Sequence, residues 1–200
     1  MPKNPQPLTT GYFVALSMTG FMKNKIFLSL GSNIGNRKEN IISALSFLES
    51  SGFVKINKIS SFYETSPVGP KQMNFYNIVV EALTILPPGD LLRLVKRTEE
   101  ILGRKFSHRW TARLIDIDIL FYNNKIQTTA NVDSRFRGND RRGGALTIPH
   151  KEISNRLFVL IPMAEIATDF VHPVLNKKIG RILEKKLLTL GNQKVRIISK

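Results

Sequence analysis

The sequence predicts an α+β fold of the ferredoxin-like kind: a β-α-β-β-α-β sheet with its helices on one face, followed by additional C-terminal helices. Three observations lead there. Strand-like and helix-like stretches follow one another in that order from residue 25 onward. The chain has 200 residues, 42% of them hydrophobic, which suits a single core. No stretch approaches the roughly 18 consecutive apolar residues that a membrane-crossing helix needs.

The elements can be justified in turn. "KIFLSLGSN" reads as a strand ending in a Gly-Ser-Asn turn, and "NRKENIISALSFLESSG" as a helix. That helix turns Ile41, Ile42, Leu45 and Leu48 inward and stops at Gly52. "FVKINKISSFYET" alternates as one strand, and "NFYNIVVEALTIL" is the next, after the Pro/Gly-bearing loop "SPVGPKQM". A second helix, "PPGDLLRLVKRTEEILGR", is opened by Pro88 and Asp90 and closed by Gly103. Its core side carries Leu91, Leu92, Val95 and Leu102. The strand in "RWTARLIDIDILF" completes the pattern, with helical material at residues 155–167 and 176–190.

Residues 1–24 are polar and proline-bearing around a short apolar patch at 12–18, too short to span a membrane and weak as a secretory signal. They are expected to be an extension, disordered or not translated, with Met18 and Met22 as alternative starts. Residues 25–200 then form one domain in a cytoplasmic protein. Within it, residues 132–145 ("VDSRFRGNDRRGGA") are rich in Arg, Gly and Asp, lack any period and read as an inserted loop. Deleting 132–145 is expected to leave melting temperature and activity nearly unchanged, because a doubling of surface-loop length costs only about 0.6 kcal/mol. A large loss in either measurement would show that the segment is not passive.

Composition narrows the chemistry. There is no cysteine, so disulfides, thiolate metal sites and thiol nucleophiles are excluded. The three histidines, at 108, 150 and 172, lack zinc-site spacing, and oxygen ligands are favoured. A net charge of +15 suits either nucleic acid or a nucleotide substrate.

One motif stands out. In a strand, Ile115, Ile117 and Ile119 share one face while Asp116 and Asp118 share the other. Two carboxylates about 7 Å apart resist burial unless they face water or hold a cation. A bare Asp-x-Asp is more often a solvated edge. Here Arg104, Lys105, Arg109 and Arg113 crowd the approach, and carboxylates beside arginines suit a metal-bound polyphosphate.

"LSLGSNIGNR", "SSFYETSPVGP", "FYNIVVE", "RWTARLIDIDILFY", "LTIPHKEISNRLFVLIPMAEIA" and "FVHPVLNKKI" occur in the order and approximate spacing of the 6-hydroxymethyl-7,8-dihydropterin pyrophosphokinases. The chain resembles that family over about residues 25–179. The resemblance implies transfer of a pyrophosphoryl group from ATP to the pterin hydroxymethyl group with release of AMP, in folate biosynthesis. It also implies a ferredoxin-like fold that uses two Mg2+ ions with ATP as co-substrate; a monomer is expected.

Residue by residue, the resemblance makes Asp116 and Asp118 the metal ligands. Asn77 becomes the carboxamide that recognises the pterin, in a pocket with Thr65, Ser66, Val68, Phe75, Trp110 and the stacking Phe158. Glu99, Arg104, Arg113, His150 and Arg156 fall to the nucleotide, with Arg104 and Arg113 on a catalytic loop. Read without the resemblance, Glu99 is a helix-surface charge, Asn77 a strand-end cap, His150 a buried satisfied histidine, and Phe75 and Phe158 core.

The chain departs from the family pattern at Thr111 and Ala112, where a Gly-Pro is usual, and at Ala145, where an arginine often precedes "LTIPH". Two rivals therefore stand beside the enzyme reading. One is a catalytically impaired relative kept as a binding protein. The other is a basic RNA-binding module, which would show exposed aromatics on adjacent sheet strands.

Overall fold

Alternating apolar residues at the centre of the chain build one antiparallel sheet, with helices against both of its faces. The computed structural model describes residues 23–67, 72–103, 112–129, 146–189 and 194–199. Most of the expected N-terminal extension and all of 132–145 therefore lie outside the described residues, as do Val68, Arg104 and Trp110.

The first strand, β1 (Asn24–Ser32), runs antiparallel to β4 (Phe75–Thr84) on one side and to β5 (Asp116–Tyr122) on the other. β2 (Val54–Ile59) and β3 (Phe62–Thr65) pair in succession with the far side of β4. β10 (Val195–Ser199) closes that edge against β3. The order is thus β10-β3-β4-β1-β5, with β2 also on β4. Two two-stranded ribbons lie apart from this sheet: β6 (Gln127–Thr129) with β7 (Leu146–Ile148), and β8 (Val171–His172) with β9 (Lys177–Lys178).

α1 (Arg37–Ser50) and α2 (Pro88–Ile101) cover one face. Asn36 caps α1 by accepting the Glu39 N–H at 3.2 Å, and Pro88 opens α2. Both helices end at a glycine with positive φ, Gly52 at 74° and Gly103 at 90°. Ile41, Ala44, Leu45, Leu48, Leu91 and Val95 pack onto Ile26, Leu28, Leu30, Ile78, Val80, Ile117 and Ile119. α3 (Leu157–Ala167) and α4 (Ile179–Thr189) cover the opposite face, over Phe27, Val79, Leu120 and Phe121. A register shift where β1 meets β5, at Phe27/Leu28, goes with a run in which Leu120 and Phe121 join the α3/α4 cluster while Ile119 and Tyr122 join the other.

Four local expectations change. The Gly-Ser of the expected turn lies inside β1, where Gly31 stays paired with Asn77 and Asp116. Ile42 is exposed, because α1 turns Ile41 and Leu45 inward instead. The stretch expected as one strand from 53 to 65 breaks at Ser60 and Ser61. The Ser60 Oγ accepts the Val79 N–H at 3.0 Å, and Ser61 donates from both its N–H and its hydroxyl to the Glu165 carboxylate of α3, at 2.9 and 2.7 Å. β10 was not anticipated at all. No helix among the described residues is long and apolar enough to cross a membrane.

His172 offers a test of this packing. It is buried, stands edge-on to Phe121 with centroids 5.2 Å apart, and accepts the Val174 and Leu175 N–H groups on Nδ1 at 3.2 and 3.3 Å. Burial holds its pKa below the ordinary 6.5. The unfolded chain therefore takes up the proton first. The stabilisation is complete above about pH 6.5 and is lost as pH falls through the lower folded value. Thermal melts at pH 7.5 and 5.5 should show a smaller acid loss for His172→Asn, whose Oδ1 can replace the Nδ1 acceptor. Equal losses would refute this.

Candidate active site

The site is built on the sheet face that α3 and α4 partly cover, at the end of the strands those helices leave open. Alternation along β5 puts Ile117 and Ile119 in the α1/α2 core and leaves Asp116 and Asp118 on the other face, their side chains 26% and 31% exposed. The strand register sets what lies beside them. Gly31 is opposite Asp116, Ser29 is opposite Asp118, and Asn77 is opposite Gly31 on the next strand. Asp116 and Asn77 therefore stand at the two ends of a three-strand row, about 10 Å apart at the backbone.

The middle of that row is bare. A Cβ on Gly31 would come within 2.9 Å of Asn77 Oδ1 and 3.8 Å of Phe75 Cδ1. Asn77 is buried and donates from Nδ2 to the Thr65 Oγ1 at 2.7 Å, so its amide is held in place and its carbonyl oxygen is directed towards the glycine. Phe75 is half-buried at the start of β4, and Ser66 lies just past β3 with its N–H on the Lys194 carbonyl at 3.4 Å.

Cationic groups gather around the carboxylates. Arg113 Nη1 donates to Asp116 Oδ2 at 2.7 Å. Arg156 Nη1 lies 3.5 Å from Asp118 Oδ2, and its guanidinium stands 5.6 Å from the centroid of the half-buried Phe158 ring. His150 Nε2 lies 4.0 Å from the same Asp118 oxygen, while His150 Nδ1 accepts the Glu152 N–H at 3.3 Å. With Nδ1 an acceptor, the neutral ring carries its proton on Nε2, facing Asp118. Burial lowers the His150 pKa, and Arg156 adds to this, against the opposing pull of Asp118.

Glu99 sits elsewhere than a helix-surface charge would. It is 1% exposed, and its Oε1 accepts the N–H of Ile117, the residue between the two aspartates, at 2.7 Å. Lys96 Nζ donates to its Oε2 at 2.9 Å. The reason is topological. β5 is an edge strand in the sheet, the N–H of Ile117 points away from β1, and α2 supplies the acceptor. Glu99 thus braces the strand that carries Asp116 and Asp118.

The structure brings Asp116, Asp118, Arg113, His150 and Arg156 together, with Thr65, Asn77 and Phe75 across Gly31 from them. Val68, Arg104 and Trp110 lie outside the described residues. Sequence reasoning missed Gly31 as the floor of the site and Asn33 as a buried junction beside it. It also missed Glu165, which gathers Ser61 and the Tyr63 hydroxyl, the latter at 2.9 Å. Burial, with that contact adding to it, pushes the Tyr63 pKa up to about 12, so the hydroxyl remains a donor. The only local signal for Gly31 and Asn33 was the "GSN" tripeptide, which also reads as a turn.

The donor chemistry fits magnesium. Two carboxylates on one strand face present hard oxygen donors, and Mg2+ is commonly held by one or two carboxylates with water and phosphate oxygens completing its shell. Among the described residues no cluster of three or more His, Cys, Asp or Glu could hold a metal by itself. Phosphate oxygens of a nucleotide could complete the shell of an ion held by these carboxylates.

Paired carboxylates flanked by two arginines and a histidine, beside a rigid carboxamide, suit an enzyme of the phosphoryl-transfer class. Residues 27–168 match the model of the 7,8-dihydro-6-hydroxymethylpterin-pyrophosphokinase family, and the chain belongs to that family. Among its relatives is the 2-amino-4-hydroxy-6-hydroxymethyldihydropteridine pyrophosphokinase of Bacillus subtilis, 39% identical over 146 residues, 72% of this chain and 79% of that protein. The enzyme of the same name from Aquifex aeolicus is 37% identical over 153 residues, 76% of this chain and 86% of that one.

Some relatives are larger. The bifunctional protein FolKE of Lactococcus lactis subsp. cremoris is 39% identical over 72% of this chain but only 37% of its own length. The fold is similar to wild-type HPPK-DHPS of Plasmodium falciparum, crystallised with pteroate, at a TM-score of 0.63 and 20% identity. That match covers 81% of this chain and 42% of the other, so this chain spans about two-fifths of the fused protein.

Proposed function

We propose that this chain transfers the pyrophosphoryl group of ATP to the hydroxymethyl oxygen of 6-hydroxymethyl-7,8-dihydropterin, forming AMP and the pterin diphosphate for folate biosynthesis. The observation that carries the reading is the row Asp116–Gly31–Asn77, which sets a carboxylate pair and a fixed carboxamide on opposite sides of a bare backbone floor. The strand order, with β2 and β3 taken as one bent strand, is that of a ferredoxin-like sheet, and we read the fold so. The domain is taken as residues 25–200 with 132–145 an insertion, acting as a cytoplasmic monomer.

In this reading the pterin lies flat over Gly31, its donor and acceptor edge against Asn77 and the backbone near Thr65 and Ser66. Phe75 and Phe158 take the ring faces, joined by Val68 and Trp110. Arg113, Arg156 and His150 bind the phosphates with forked or single N–H donors, and Arg104 joins them. Glu99 acts on the nucleotide side through the strand it braces. The hydroxymethyl oxygen attacks the β-phosphorus, and the bond from that phosphorus to the oxygen bridging to the α-phosphate breaks, so that oxygen leaves with AMP. Asp116 and Asp118 would hold two Mg2+ ions, whose charge offsets that of the phosphates during transfer. The residues themselves position the groups in line, a task worth several kcal/mol of the barrier.

Helices lie against both sheet faces, and the uncovered end of one face carries the carboxylates and the Asn77 carboxamide, which disfavours the broad base-stacking platform of an RNA-binding sheet. The test is AMP formation from Mg-ATP with and without the pterin. Pterin-dependent AMP supports the proposal. Binding of both substrates without AMP would instead identify a catalytically impaired binding protein.

A further inference from the structure

β3 is four residues long, and three residue pairs tie it to β4: Tyr63 with Asn77, Glu64 with Tyr76 and Thr65 with Phe75. Left there, its outer edge would present a row of unpaired backbone groups. β10 occupies that edge with four further pairs, Val195 opposite Thr65, Arg196 opposite Glu64, Ile197 opposite Tyr63 and Ser199 opposite Phe62. Just past the strand, the Ser66 N–H donates to the Lys194 carbonyl at 3.4 Å. On the face turned away from Asn77, the Glu64 carboxylate accepts Arg196 Nη2 at 2.9 Å and Arg37 Nη1 at 3.2 Å, and Arg37 also donates to the Asn74 carbonyl at 2.8 Å. β10 lies beyond residues 27–168, the part of the chain that matches the family model.

Alternation along β3 turns Thr65 to the same face as Asn77, and the register makes the two diagonal neighbours. Thr65 is 2% exposed, and its Oγ1 accepts Asn77 Nδ2 at 2.7 Å. The two ends of an amide are alike in shape and opposite in hydrogen-bonding sense, so a fixed acceptor on one side decides which end faces the open floor over Gly31. We propose that β10 is a positioning strand for the pterin side of the site, holding β3 so that Thr65 fixes the direction of the Asn77 amide. This rests on the reading above, in which Asn77 recognises the pterin ring. Without β10, a four-residue edge strand held by three pairs frays at its Thr65 end, and the Asn77 amide is free to turn. Asp116 and Asp118 stand on β5, separated from β3 by β4 and β1, and keep their own partners. The loss therefore falls on the pterin and spares the nucleotide.

The experiment measures, by calorimetry, affinity for the pterin and, separately, for a non-hydrolysable ATP analogue with Mg2+. Deleting residues 194–200 is expected to weaken pterin binding about tenfold or more, with affinity for the analogue changed less than about threefold. Thr65→Val, which removes the hydroxyl and leaves β10 in place, should cause a similar pterin loss. Deleting 194–200 in the Thr65→Val background should then add less than about twofold, because the same route is already cut. Arg196→Glu places a like charge directly opposite Glu64 and should weaken pterin binding about threefold, whereas Arg196→Lys should stay near wild type.

A merely structural role would weaken both ligands alike, or would add the full effect of the deletion to that of Thr65→Val, and either result overturns the inference. So does a folded deletion variant with wild-type pterin affinity. Melting temperature reports folding, and if the deleted chain does not fold, Arg196→Glu decides: wild-type pterin affinity in that variant overturns the role of β10. Pterin-dependent AMP formation by the wild type is scored separately. A chain that makes AMP and binds pterin equally well without β10 sinks the positioning role alone, whereas a chain that neither binds pterin nor makes AMP sinks both readings.

Discussion

Asp118→Asn and Asp116→Asn are each expected to abolish pterin-dependent AMP formation while leaving the chain folded. The loss should be large because, in the proposed role, these carboxylates are the hard anionic donors to the metal, and removing one charge from a metal-phosphate site forfeits about 4 kcal/mol or more of transition-state stabilisation, roughly a thousandfold in rate. The fold should survive. All four side chains are only partly exposed, but ion pairs open to solvent on one side, as Arg113–Asp116 and Arg156–Asp118 are, contribute little, on the order of 1 kcal/mol. Parallel measurements of single-turnover AMP release and melting temperature separate the two effects. Turnover within tenfold of wild type in either folded variant would remove these residues from the metal role.

Asn77→Ala is expected to raise the KM for the pterin about a hundredfold with a smaller change in kcat, and to leave the KM for ATP within a few-fold. The magnitude follows from leaving ring donors and acceptors unpaired against the buried Asn77 position, at about 1–3 kcal/mol each. Gly31→Ala should act in the same direction by a different route. Its new methyl group would meet Asn77 Oδ1 at 2.9 Å, and Asn77 cannot simply swing aside because Nδ2 is held by Thr65 at 2.7 Å. Steady-state kinetics with each substrate varied in turn checks both variants. A rise confined to the KM for ATP would place Asn77 and Gly31 on the wrong side of the site.

The parts of the molecule legible in its sequence are those governed by a short period or a single backbone conformation. Asp116 and Asp118 had to share a face because side chains alternate along a strand, whatever that strand pairs with. The two helices and their stops at Gly52 and Gly103 followed from apolar spacing and from the left-handed turn that glycine tolerates. The resemblance in motif order then supplied roles for Asn77, His150 and Arg156 that no spacing rule could give.

Only the tertiary structure decided what each buried polar group was for. Glu99 looks like a surface charge until an edge strand 18 residues further on presents an N–H to it. Gly31 looks like the start of a turn until β4 places a carboxamide where its side chain would be. Asn33 is one more polar residue in a loop until two distant segments close on its amide. The kink at Ser60 and Ser61 exists because α3 brings Glu165 to that point, over a separation of 104 residues. Periodicity is a local property that the chain carries with it. The pairing of a buried donor with its acceptor depends on which segments the core brings together, and that is settled only when the whole sheet and its helices are in place.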